Sequence, residues 1–164
     1  MSTLVGSGVG PGSVGLPAKG IPGQFIQEQL ETALQGLRGP RRWLEESALL
    51  SKVQELSRQT TCANWDGERG EPIGPQQWEE VRRLVSLAFR SLPTVPSPFV
   101  SACGDGTAHI QWTTPGGDRG VIEVGSGSSN WSFIPMSDEA EDEVVWLEDP
   151  AQGLSKVQNL FRLG

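Results

Sequence analysis

Phe99-Val-Ser-Ala-Cys103, Ala108-His-Ile-Gln-Trp112, Arg119-Gly-Val-Ile-Glu-Val124 and Trp131-Ser-Phe-Ile134 decide the fold. Each is a short run rich in β-branched, aromatic or small apolar residues. Between them stand Gly104-Asp-Gly-Thr107, Thr113-Thr-Pro-Gly-Gly-Asp118 and Gly125-Ser-Gly-Ser-Ser-Asn130, all built from turn formers. Links this short hold no crossover helix, so four strands in an antiparallel meander are expected. Val144-Val-Trp-Leu147 adds a fifth strand at the edge.

The first hairpin can be given a register. With Asp105-Gly106 as a two-residue turn, Cys103 faces Ala108, Ser101 faces Ile110 and Phe99 faces Trp112. These residues then form the core face, and His109 and Gln111 point the other way with Val100 and Ala102. The expected core holds Trp78, Phe89, Phe99, Ile110 and Trp112.

Upstream the period changes from two to between three and four. Phe25, Ile26, Leu30, Ala33, Leu34 and Leu37 form one helical stripe that ends at Gly39-Pro40. Trp43, Leu44, Leu50, Val53 and Leu56 form the next, with Pro40 in the first turn. So short a link predicts an antiparallel helical hairpin. After a turn-rich stretch, Thr60 to Ile73, Pro75 opens a third helix whose stripe is Trp78, Val81, Val85, Ala88, Phe89 and Leu92. Pro93 and Pro96 end it. Asp149-Pro150 starts a C-terminal helix marked by Leu154, Val157, Leu160 and Phe161.

The fold class is therefore α+β: a helical hairpin, a helix packed on a small antiparallel sheet of four or five strands, and a C-terminal helix. The divisions are a disordered Gly/Pro-rich tail at 1–23, the hairpin at 24–59, the α+β core at 60–136, and an acidic segment with the last helix at 137–164. The tail holds seven Gly, three Pro and a single charge, Lys19, which favours an unstructured chain.

Net charge is −7, with 13 basic and 20 acidic residues. Sequence-independent nucleic-acid binding, which needs clustered Lys and Arg, is not expected. Ser137 to Asp149 holds seven acidic residues and no basic one; the rest of the chain is balanced, so this segment carries the whole net charge. No apolar run reaches the roughly 20 residues that span a bilayer. Met1 to Pro22 shows no charged region followed by an apolar one, and two cysteines make no disulfide framework. A cytoplasmic location with reduced thiols is expected.

The residues for chemistry are few. Cys103 and the single histidine, His109, lie across the first hairpin, but the register above puts them on opposite faces, which denies them a nucleophile–base pair. No GxSxG surrounds a serine, and Gly125–Asn130 lacks the lysine of a phosphate loop. Asp66, Glu68 and Glu71 cluster in the turn-rich stretch at no metal-ligand spacing. No catalytic set, metal site or cofactor is expected. Of six Trp, Trp43, Trp78 and Trp112 fall on predicted core faces; Trp65, Trp131 and Trp146 are harder to place, with Trp131 a candidate to extend the core, and one of the three is expected at an interface.

Asn64-Trp-Asp-Gly67, then Glu71-Pro-Ile73 and the Pro-led Trp78 helix, then Asp105-Gly-Thr-Ala-His-Ile-Gln-Trp112, resembles a set of small, uncharacterised bacterial proteins. The likeness spans about Ala63 to Ile134. Glu68-Arg69-Gly70 departs from the usual continuation of the loop. The resemblance implies a bacterial source and the same helix-then-hairpin order, but no activity. Asn64, Trp65, Asp66 and Gly67 are either a structural loop, since Asn, Asp and Gly are turn formers, or a site for a ligand or partner.

The expected function is a non-catalytic interaction or regulatory protein within a larger assembly. Asp138, Glu139, Glu141, Asp142 and Glu143 would meet a basic surface on another protein, and Trp146, Leu154 and Phe161 would anchor it. Two alternatives are an acidic, antitoxin-like inhibitor in a basic groove, and a metal-dependent hydrolase built on Asp66.

Overall fold

The structure, a computed structural model, describes residues 39–137 and 141–162. The expected tail, the first helix of the hairpin, Asp138 and Glu139 lie outside the described residues. Three helices and five strands are described: α1 (Pro40–Gln59), α2 (Pro75–Ser91), β1 (Phe99–Ala102), β2 (Ala108–Thr113), β3 (Arg119–Val124), β4 (Ser129–Ile134), β5 (Glu143–Leu147) and α3 (Gln152–Leu160). The strands form one antiparallel meander in the order β1-β2-β3-β4-β5. The α+β class and the five-stranded sheet stand as the sequence implied.

Helix α2 lies against the sheet as its stripe requires. Trp78, Val81, Leu84, Val85, Ala88 and Phe89 are buried and join Val100, Ala108, Ile110, Trp112, Ile122, Val124 and Trp131 in one core. Val53 from α1 and Leu154 and Val157 from α3 enter the same core. At the start of α1 the Arg42 guanidinium stacks over the Phe89 ring at 4.9 Å. It also donates to the carbonyls of Leu92 (2.6 Å) and Val95 (2.8 Å). A cation thus ties the start of α1 to the carbonyls of the segment that leaves α2.

Trp43 departs from its expected place. It is 63 % exposed, and Leu44 beside it is also exposed. The inward face of α1 runs instead through Leu49, Leu50, Val53 and Leu56.

The first hairpin also departs from its expected register. The Cys103 N–H donates to the Thr107 carbonyl, and the Gly106 N–H donates to the Cys103 carbonyl. Gly106 has φ +81°, so the loop holds three residues and closes with a glycine in the left-handed region. One extra loop residue shifts the pairing by one position and turns every side chain of β1 over. Val100 now faces Ile110, Ala102 faces Ala108 and Ser101 faces His109. Phe99 leaves the core and is 55 % exposed, with the Lys52 ammonium 4.2 Å from its ring centre. The other four expected core residues, Trp78, Phe89, Ile110 and Trp112, are buried together.

Candidate functional site

The Asn64–Gly67 loop is fastened by its own groups. Asn64 and Arg69 have φ of 62° and 84°, and Gly67 has φ 80°. Asp66 Oδ1 accepts the N–H groups of Glu68 (2.9 Å) and Gly70 (2.7 Å). These two bonds hold its carboxyl below the usual range. The half-buried Trp65 donates its indole N–H to the Glu71 carbonyl at 2.9 Å. The Glu71 N–H reaches the Gly104 carbonyl, so the loop leans on the first hairpin. At Gly70 and Gly104 a Cβ would press on the Asp66 carboxylate, which explains two of the surrounding glycines.

A buried link connects this stretch to the core. The Thr60 hydroxyl donates to the Leu56 carbonyl and accepts the Trp78 indole N–H at 2.9 Å. Both residues are buried. Thr60→Val keeps the shape and removes the acceptor, leaving the indole N–H unsatisfied. A loss of about 1–2 kcal/mol of unfolding free energy is expected, measured by urea denaturation. Gln77 acts similarly at the start of α2. Its Oε1 accepts the Gly74 N–H at 2.8 Å, and its Nε2 donates to the Gly106 carbonyl at 2.8 Å. Neither Thr60 nor Gln77 stands out in the sequence, although Gln three residues after a helix cap is a signal of this kind.

The helices pack on one face of the sheet, and the other carries a polar row. His109, Glu123, Asn130 and Trp146 lie opposite one another across β2, β3, β4 and β5. His109 Nε2 is 3.3 Å from Glu123 Oε2. Glu123 Oε1 accepts from Asn130 Nδ2 at 3.1 Å, and Asn130 Oδ1 accepts from the Ser132 hydroxyl at 3.3 Å. Thr107, whose hydroxyl binds Asp105 at 2.7 Å, lies within 3.4 Å of His109 Nε2.

The shifted register brings Cys103 round toward this same face, half-buried, so the expected separation of Cys103 from His109 onto opposite faces does not hold. Burial, and then the charge of Asp105, push the Cys103 thiol up, which disfavours the thiolate a nucleophile needs. Among the described residues no group of three His, Cys, Asp or Glu is placed to hold a metal ion.

At the end of this row β5 forms an edge. Trp146 is 71 % exposed and Val144 is 59 % exposed. Glu141 and Asp142 precede the strand and Glu148 follows it, all exposed. Glu143 is 3.6 Å from Lys156, and Asp149 is 3.1 Å from Arg83. Asp149 also caps the approach to α3 by accepting the Ala151 N–H at 2.9 Å, and this bond and Arg83 hold its carboxyl below the usual range. On the other side of β5 a groove of about 360 Å³ is lined by Trp131, Phe133, Glu143, Lys156 and Leu160.

Of the three expected anchors, Leu154 is buried in the chain's own core, and Phe161 is half-buried against it. Trp146 is the exposed one. No family model, curated protein or solved structure matches this chain. Among the described residues no helix is long and apolar enough to cross a membrane.

Proposed function

We propose that this chain is a non-catalytic interaction or regulatory protein of the bacterial cytoplasm, working as a subunit of a larger assembly. Trp146 carries the reading: a large aromatic side chain, 71 % exposed on an edge strand, between two runs of carboxylates. Aromatic side chains of this kind supply much of the binding energy of interfaces. Carboxylates around them draw in a partner of opposite charge and speed its arrival. The partner is therefore another protein with a basic surface. The bacterial setting is supported by the resemblance of Asn64–Gly67 and the helix after it. The cytoplasmic one is supported by two free thiols, with Cys62 exposed.

The hydrolase alternative has less support, because Asp66 Oδ1 is occupied by two N–H groups of its own loop. An acidic inhibitor would use the same carboxylates as the preferred reading, and the identity of the partner separates the two.

The test starts with co-purification from the native host. Asp138, Glu139, Glu141, Asp142 and Glu143 are then replaced by Asn or Gln. Association with the purified partner should slow about tenfold or more in low salt, and its salt dependence should weaken, with the fold intact. Association at the wild-type rate would remove the electrostatic basis of the proposal.

A further inference from the structure

The backbone at β5 carries the reading further. In the β3–β4 hairpin the Gly125 N–H donates to the Ser128 carbonyl. Hydrogen-bonded and non-bonded pairs alternate along an antiparallel ladder. Asn130 and Ser132 therefore direct their N–H and C=O groups toward β3, while Ser129, Trp131 and Phe133 direct theirs toward β5. Their partners there are Leu147, Val145 and Glu143. Among the described residues no strand pairs with the outer side of β5, so Val144 and Trp146 are left with N–H and C=O groups on that edge of the sheet. The same two residues bear the exposed apolar side chains.

We propose that β5 accepts an added strand, an extended segment of another protein in which lysine or arginine flanks alternating apolar residues. This rests on the interaction-protein reading above and specifies its mode of binding. Backbone bonds to Val144 and Trp146 supply the pairing. Cross-strand contacts with their side chains favour β-branched or aromatic residues in the incoming segment.

The charges choose between partners. An antiparallel pairing of β5 with a second copy of itself, centred on Val145, sets Glu141 against Asp149 and Asp142 against Glu148. Shifting that pairing by one residue either way still sets acid against acid. Like charges placed opposite each other oppose such pairing, as they do on many protected sheet edges. A basic segment meets the same carboxylates favourably.

A displayed library of random dodecapeptides, selected on the full chain, tests this. Enriched peptides should carry Lys or Arg on both sides of alternating β-branched or aromatic residues, without a central proline. One such peptide, added to the chain, should slow amide exchange at Val144 and Trp146 about tenfold or more. Val144→Pro removes an outward N–H without taking a bond from the sheet, a position where proline is tolerated. It should weaken the peptide at least about tenfold, whereas Val144→Ala stays within about threefold.

Because Val144→Pro could still disturb β5, the peptide is also N-methylated at alternate residues in two sets. One set should abolish binding to the wild-type chain and the other should not. No enrichment, or enrichment of acidic or proline-rich peptides, overturns the proposal. So does equal binding of both methylated sets, or a dimer that protects Val144 and Trp146 without peptide. Where the methylated sets bind alike but neutralising the carboxylates still slows the native partner, strand addition fails and the acidic surface remains. Where that neutralisation has no effect, the interaction reading fails with it.

Discussion

Trp112→Ala should lower the unfolding free energy by about 3–5 kcal/mol, read from urea or guanidinium denaturation. Trp112 is 2 % exposed at the centre of the core. It stands on β2 opposite Gly120 and packs within the cluster that holds Trp78, Phe89 and Ile110. Truncation removes a large transfer term and leaves a void that the surrounding strands cannot close. Phe99→Ala is the matched control. Phe99 is outside the core and meets the Lys52 ammonium on an exposed surface, so its loss should stay below about 1 kcal/mol. Equal costs at the two positions would restore the register in which Phe99 packs on Trp112.

Gly120→Val should cost about 3 kcal/mol, at the upper end for overpacked sites. A Cβ at Gly120 would overlap the Trp131 ring and would lie 3.0 Å from Leu160 Cδ2. The ring crosses this strand position because no side chain stands there. Trp131 is itself buried between β3 and α3 residues. The side chain at 120 must therefore displace an indole or push α3 off the sheet. A denaturation midpoint equal to that of the wild type would show that Trp131 has another low-energy rotamer and that Gly120 is not its seat.

The order of elements was legible because each carries its own punctuation. Pro40 and Pro75 open α1 and α2, Pro93 ends the region of α2, and glycine-rich turns separate β1 to β4. Core residues on α2 and β2 were legible because period and burial agree there. The face of β1 was not, since it depends on the conformation of one glycine. A loop reading Gly104-Asp-Gly106 closes equally well over two or three residues on paper, and Val100 and Phe99 are both apolar. Trp43 misled for a related reason. A helix with apolar residues at Trp43, Leu44, Leu49, Leu50, Val53 and Leu56 offers a stripe too wide to say which edge is covered.

The candidate site was legible in part. The charge segregation around β5 and the unplaced Trp146 were visible in the composition. The row His109–Glu123–Asn130 was not, because it joins residues from three strands whose pairing must be known first. Leu154 was read as an anchor for a partner from its helical spacing alone; spacing does not tell an inward face from an outward one.

The meander also governs how the molecule opens. Every strand pairs with its neighbour in sequence, so the sheet assembles through successive short hairpins with little entropy of loop closure. In the native ensemble the strands do not open equally. β2, β3 and β4 are each held on two sides, and β1 at one edge buries Val100 in the core, while β5 at the other edge is held, among the described residues, by β4, by the partly buried Leu147 and by the exposed pairs of Glu143 and Asp149. Local unfolding therefore begins at β5 and leaves the other hairpins folded. A segment that fixes β5 in place raises the free energy of that opening, and the protease resistance of residues 141–149 reports the gain before any change reaches the core.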